Sequence, residues 1–428
     1  MTKSPLTTLA AWIQSDDLLQ MPPDRFDRVK QHVLDAIGAG LAGSRLAAGA
    51  AATRLAGGAG DRIGSLIIRG CAHARSTEID DIHLESCTTP GAVIVPTALA
   101  LAATGHFGTV GAFCAAVLAG YEALIRLGLA LDGPMALHRG VWPTQAAAAF
   151  GSAATASRAY GLTVEQTAGA FATALAFGSG TPVPAAPVLS SRWLTLGVAA
   201  ANGELAARAA REGLLGIALQ DTVARRLLSG LPRRCLFDDT GMKPFATARQ
   251  GLAAIEAARD LFDRHAIDAA GIDSITVALP ELLRRIVDRP GKPATRFESI
   301  VSVQYQIALA IAVPDRLLDV DRTPPLSSRL LRRLQSKIRV RHSRELDAYY
   351  PAEWPARVTI AVGRRRFVEL MVHPPGDACD PLGWDAIAAK FEHLASPTID
   401  IEAARRTVRA IRDARPDAAM PPLRDLTS

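Results

Sequence analysis

The run Glu78-Ile79-Asp80-Asp81-Ile82-His83-Leu84-Glu85, followed by Ser86-Cys87-Thr88-Thr89-Pro90-Gly91, sets four carboxylates and an imidazole before a Pro-Gly turn. From about Val93 the chain is apolar and reads as a buried helix over 93–104. Anions this close repel, so at least one should hold its proton more tightly unless a cation sits among them. Groups tuned in that way serve as general acids and bases. The plainer reading is structural: acidic residues before such a turn cap helices or pair with arginine. On the residues alone that reading is the stronger one for Asp80 and Asp81.

Working outward, Phe26, Val29, Val33, Ile37 and Leu41 recur at spacings of three and four, with Asp24 placed to cap them. That spacing predicts an amphipathic helix over 24–43. Similar patterns predict helices at about 109–131, 144–160, 164–177 and 196–213, with Gly178–Pro187 an irregular loop. After about Thr240 the texture changes. Ile272–Leu279 is strand-like, and Ala356–Val362 and Arg365–His373 alternate about Gly363 as a hairpin. Helices are expected at 245–264 and 299–313, then again at Trp384–Leu394 and Ile401–Arg412. The expected fold is mainly α with an α+β part. A helical domain from both chain ends (1–241 and 381–428) would carry a smaller inserted α+β domain over 242–380.

Composition narrows the function classes. The 48 Lys+Arg against 42 Asp+Glu give a basic balance, but the arginines are interleaved with acids and lack an aromatic-basic strip. Lys337, Arg339 and Arg341 alternate along one possible strand beside His342, which reads as a solvated face. Nucleic acid is therefore not expected as a partner, whereas an anionic substrate suits the charge. The five cysteines are odd in number and form no CxxC pair, which argues against a disulfide framework and a structural zinc site. Asp16 and Asp17 interrupt the N-terminal stretch, so it reads as no signal peptide. Glu122 and Arg126 interrupt the apolar segment 110–131, which fits a buried helix with paired charges better than a membrane span. A soluble cytoplasmic protein is expected.

Several segments together resemble the MmgE/PrpD family, whose known chemistry is dehydration, decarboxylation and epimerisation of carboxylates. Arg28–Gly43 resembles the family's opening helix, and Glu78–Pro96 (EIDDIHLESCTTPGAVIVP) resembles its "DFDDTHLESLTHPGAPVVP" signature. Gly120–Gly128 (GYEALIRLG) resembles "GYEVAIRLG", and Arg139–Gly151 (RGVWPTQAAAAFG) resembles "RGFHPTGTCGVFG". Lys243–Ala257 and Glu298–Tyr305 resemble "KPYPCCRFTHPAIDA" and "EAKFSLPY". These matches keep chain order across roughly residues 25 to 395, which makes them far more specific together than singly. The resemblance implies a large helical domain, a smaller lid domain and a homodimer, without a metal or organic cofactor. It also implies proton transfer next to a carboxylate, which needs a base, an acid and cations that hold carboxylates.

The departures from the family pattern shape the expected chemistry. Its leading aspartate falls on Glu78, its threonine on Ile82, and two of its histidines on Thr89 and Trp142. A family lysine corresponds to Arg192, a following histidine to Thr195, and the lid's "FTH" to Gln250-Gly251-Leu252. Asp80, Asp81, Arg139, Lys243, Arg249, Ser302 and Tyr305 are retained. Each lost imidazole removes a proton carrier of the kind typically worth roughly 10²–10⁴-fold in rate. Ile82 and Trp142 make the pocket drier, so the standard methylcitrate reaction is not expected.

The resemblance thus implies Glu78, Asp80 and Asp81 as an acid/base cluster, with His83 as a substitute base or a wall residue. Lys243 is read as a hinge-side cation or proton carrier and Tyr305 as a hydrogen-bond donor. Arg139, Arg192 and Arg249 are expected to bind carboxylate, with Thr89, Trp142 and Ile82 lining the substrate space. His138 and Trp193 are further neighbours, each with an ordinary surface or core reading. The leading expectation is a cofactor-independent lyase on a small carboxylate. The alternatives are an epimerase or isomerase on the same scaffold, or a catalytically silent dimeric binding protein.

Overall fold

The computed structural model of the chain describes residues 4–57, 61–178, 190–216, 226–231, 234–322 and 325–420. It is mainly helical with a small sheet, the class that the patterning predicts. The described residues from 4 to 240 and from 383 to 420 form one compact unit, and those from 241 to 382 form another.

In the first unit the long helices are Pro23–Ser44, Arg62–Ser76, Gly91–Ala103, Val110–Ala130, Pro143–Ala159, Val164–Phe177, Arg192–Arg211 and Trp384–Ala395. Alanine explains how they pack. Ala115, Ala116, Ala119 and Ala123 on one helix and Ala147, Ala148 and Ala154 on the next are fully buried, so the two backbones approach closely at little propensity cost. Thr163 and Gln166 close a capping box at the start of Val164–Phe177. Among the described residues, Val110–Ala130 alone is long and apolar enough to cross a membrane, yet it is packed inside this unit. Its two charges are paired, with Arg126 Nη2 at 3.0 Å from Glu122 Oε2, and the Phe237 N–H donates to Glu122 at 2.8 Å.

The Pro23–Ser44 helix differs from its one-faced prediction. Lys30, Gln31, His32 and Asp35 are buried along with the apolar stripe, because Arg62–Ser76, Gly91–Ala103 and Trp384–Ala395 all pack on it. The predicted loop Gly178–Pro187 lies, from residue 179, outside the described residues.

The second unit is built on four strands: β1 (Ser274–Leu279), β2 (Ile338–His342), β3 (Ala356–Val362) and β4 (Arg365–Met371). Their order is β2-β1-β3-β4, with β1 and β2 parallel and the other pairs antiparallel. In register, Ile275 meets both Ile338 and Ile360, and Ile360 meets Phe367. These side chains form the buried face, against which the Leu252–Arg264 helix packs. The hairpin turns at Gly363, whose φ of 55° suits a residue without Cβ.

Two helix predictions in this unit are corrected. The first helix begins at Leu252 rather than 245, since the residues before it bond elsewhere. The Ala246 carbonyl accepts from Arg322 at 3.0 Å and Gln306 at 3.3 Å, and the Ala248 N–H donates to the Ile300 carbonyl. The second is broken at Ser302 into Arg296–Val301 and Val303–Ala312. Ser302 Oγ accepts the Tyr305 N–H at 3.2 Å, which caps the second piece. The apolar period runs through both pieces and so hides the break.

Candidate functional site

The Arg62–Ser76 helix ends just before the acidic run, and Glu78 then takes a left-handed φ of 59°. A non-glycine residue there carries strain of order 1–3 kcal/mol, which the surroundings must hold in place. What the strain achieves is visible in the contacts. Arg75 Nη1 lies 2.6 Å from Glu78 Oε2 and 3.3 Å from Asp80 Oδ1, and all three residues are buried. The cation anticipated among these carboxylates is thus Arg75.

Two tryptophans extend this cluster. Trp142, just ahead of the Pro143–Ala159 helix, and Trp193, in the first turn of Arg192–Arg211, meet edge to face at 6.1 Å. The Arg75 guanidinium lies 5.6 and 5.4 Å from their centroids, and that of Arg192 lies 4.2 and 5.1 Å away. Burial lowers the pKa of Arg192 to about 10, with Glu78 and Asp80 opposing the shift and Arg75 adding to it. Among the described residues no carboxylate makes an ion pair with Arg192. A half-buried guanidinium stacked on indoles and lacking a counter-ion is suited to an incoming anion.

Asp81 faces a different set of partners. Its Oδ2 accepts from the Tyr121 hydroxyl at 2.6 Å and from His32 Nδ1 at 2.9 Å, and its Oδ1 accepts the Gly91 N–H at 2.8 Å. Asp81 therefore caps the Gly91–Ala103 helix. Burial and then the Asp81 charge hold the Tyr121 phenol neutral, so it remains the donor. Gly91 is needed for this approach, because a Cβ there would sit 2.8 Å from both Asp81 Oδ2 and the Tyr121 hydroxyl. The turn is braced again by Lys390, which lies 2.5 Å from Asp35 Oδ1 and donates to the Ile79 carbonyl at 3.0 Å.

His83 is buried, and its Nδ1 accepts the Ser86 N–H at 3.2 Å, so its ring proton sits on Nε2. Burial, with a contribution from Arg234, lowers its pKa to about 3. It is a neutral imidazole at physiological pH, able to donate from Nε2 but already holding its proton.

The other expected residues of this unit are dispersed. Ile82 is buried beside His83, and Thr89 is tied to Thr144 through its backbone N–H at 3.1 Å and its hydroxyl at 3.2 Å. Arg139 is exposed, with Asp132 at 3.9 Å as its nearest acidic partner. His138 ends the short helix Gly133–His138.

In the second unit Lys243 is buried, with its ammonium 3.5 Å from the Thr247 carbonyl. Arg249 is clamped by Asp377 and lies 6.0 Å from the Trp354 ring centroid. The Tyr305 hydroxyl donates to the Leu326 carbonyl at 3.1 Å, and burial raises its pKa. Close to Tyr305 stands Arg322, a cation the sequence reading passed over. Burial lowers its pKa to about 10, and its Nε and Nη1 are buried without hydrogen-bond partners among the described residues.

The sequence reading also missed Arg75, His32, Tyr121 and Lys390. Arg75 had a local signal, since Arg-x-x-Glu-x-Asp at a helix end puts one cation within reach of both acids. The other three come from distant segments and carried none.

Compared with known proteins, residues 7–226 match the MmgE/PrpD N-terminal domain and residues 245–415 match the MmgE/PrpD C-terminal domain. The chain is also similar to the cis-aconitate decarboxylase-like protein oryM of Aspergillus oryzae. The two are 25% identical over an alignment that covers 94% of this chain and 93% of that protein.

Proposed function

Because this chain belongs to the MmgE/PrpD family, we propose that it is a cofactor-independent lyase that moves a proton next to a carboxylate on a small carboxylate substrate. The family includes dehydratases and decarboxylases, and similarity to a decarboxylase-like protein over nearly the whole chain supports that direction. The observation that carries the reading is the buried Arg75–Glu78–Asp80 cluster beside Arg192, a guanidinium that pairs with no carboxylate among the described residues. In this reading Arg192 takes a substrate carboxylate and Glu78 exchanges the proton on the neighbouring carbon. Arg75 neutralises the two acids so that both can stay in one dry space. Asp80 holds Arg75 in place. Asp81 serves as the fixed frame behind them, and neutral His83 donates from Nε2.

For Lys243, Tyr305 and Arg249 the reading rests on the family resemblance, with Lys243 as a carboxylate-binding cation and Tyr305 as a hydrogen-bond donor. A homodimer is part of the same proposal, and light scattering on the purified chain tests it. The substrate is proposed to differ from methylcitrate, because a buried tryptophan at 142 and a Thr144-bound threonine at 89 stand where the family has imidazoles.

The test is proton exchange at carbon, followed by NMR in deuterium oxide with a panel of di- and tricarboxylates and amino-dicarboxylates. Deuterium uptake or product formation that vanishes in Glu78→Gln supports the lyase. A second reading, a silent binding protein, is favoured by Arg75 already engaging both acids. Ligand-induced thermal stabilisation without exchange would select it.

A further inference from the structure

Outside that cluster, the second unit carries a side-chain constellation with a separate chemistry. We propose that His373, Asp377 and Cys379 form a binding site for a divalent transition metal of the zinc class. One donor atom from each lies within 4.8 Å of the other two. His373 Nδ1 is 3.9 Å from Asp377 Oδ2. Zinc bonds of roughly 2.0–2.3 Å in tetrahedral geometry need donor separations of about 3.3–3.8 Å, so a closure of at most about 1.5 Å completes the site. Imidazole, thiolate and carboxylate together select zinc or its transition-metal neighbours over magnesium and calcium, which prefer oxygen alone. Three protein donors leave a fourth position for water.

The surroundings support a built site rather than a chance meeting of surface groups. Glu353 Oε1 lies 3.4 Å from His373 Nε2, so a carboxylate orients the imidazole from behind and leaves Nδ1 toward the metal position. Arg249 binds the other oxygen of Asp377, which fixes the direction of Oδ2. The loop that brings the donors together is tight. Gly376 adopts a φ of 93°, and a Cβ there would lie 2.1 Å from the Met242 carbonyl. Its N–H donates to the Asp380 carbonyl at 2.8 Å, and the Asp377 N–H donates to the Pro374 carbonyl at 3.1 Å. The spacing is His-x3-Asp-x-Cys, so a search for CxxC pairs passes over it.

Binding would replace the Cys379 thiol proton by the metal and release that proton to solvent, so affinity should rise with pH. The metal would sit on Asp377, the partner of Arg249, and stiffen this loop without entering the proposed reaction.

The experiment uses the full chain after chelator treatment. Zinc is titrated by calorimetry, and cobalt(II) serves as a spectroscopic probe of thiolate coordination. One equivalent should bind, and the cobalt complex should show a sulfur-to-metal charge-transfer band. Cys379→Ser should abolish the band, His373→Ala should weaken zinc at least 10-fold, and Glu353→Gln should weaken it about 10–100-fold without removing a ligand. His373, Glu353 and Cys379 are at least partly exposed, so these variants should fold, and circular dichroism checks that they do. No charge-transfer band in the folded wild type would overturn the proposal. So would zinc binding that is unchanged in the His373→Ala/Cys379→Ser double variant.

Discussion

Asp80 and Asp81 are adjacent in the chain, and their surroundings differ in kind. Asp81 is closed by a phenol, an imidazole and a backbone N–H from three separate helices. Asp80 shares one guanidinium with Glu78, beside a second guanidinium that pairs with no carboxylate among the described residues. The first arrangement fixes geometry, because removing any donor leaves a buried charge short of partners. The second can trade partners, because an incoming anion on Arg192 changes the balance of charge around Glu78. On the proposed reading, adjacent residues of one type divide into a frame and a working group.

The sharpest way to break that division is Glu78→Gln, which keeps the shape and removes the proton acceptor. Turnover, once a substrate is found, should fall by roughly 10²–10⁴-fold with little change in unfolding free energy. Equal loss of activity and stability would make Glu78 part of the frame. Asp81→Ala should show the opposite pattern. Tyr121, His32 and the Gly91 N–H lose their acceptor together, and chemical denaturation should report a loss of about 3 kcal/mol.

How much of this was legible follows the same division. The carboxylates could be read because they lie in one short run, and Trp142 and Arg192 because they depart from the family pattern. The hairpin and most helices could be read because one face of each is apolar. Arg75 carried a local signal in Arg-x-x-Glu-x-Asp, and the left-handed turn at Glu78 shows how both acids reach it. His32 was hidden because the Pro23–Ser44 helix is covered on several sides, so polar positions on it are buried as well, and Lys390 because its own helix, Trp384–Ala395, packs on that one. Periodicity reports which face is apolar, and it cannot report a polar residue buried by a third helix.

Arg192→Ala sharpens the working side. If Arg192 holds a substrate carboxylate, a loss of about 1.5–3 kcal/mol in kcat/KM is expected, and Arg192→Lys should recover part of it. The stacking on Trp142 and Trp193 would also be lost, so a purely structural role predicts the same unfolding loss for Ala and Lys. Recovery of KM by Lys without recovery of stability separates the two. Within the frame, Tyr121→Phe should cost about 1 kcal/mol of stability and leave kcat near the wild-type value.

The smallest effect is a pH dependence that belongs to His83. Its folded pKa is about 3, because burial disfavours the imidazolium. The unfolded imidazole takes a proton near pH 6.5. Between these values the unfolded chain binds more protons than the folded one, so the His83 contribution is fully present above pH 6.5 and is lost as the pH falls toward 3. The limiting slope is about 1.4 kcal/mol per pH unit, and the loss between pH 6.5 and 5.5 should be about 1 kcal/mol. Denaturation at those two pH values should show a difference about 1 kcal/mol larger in the wild type than in His83→Gln, because the half-buried His73, lowered to about 4, titrates over the same interval in both. A difference of the same size in the variant and the wild type would take the titration away from His83.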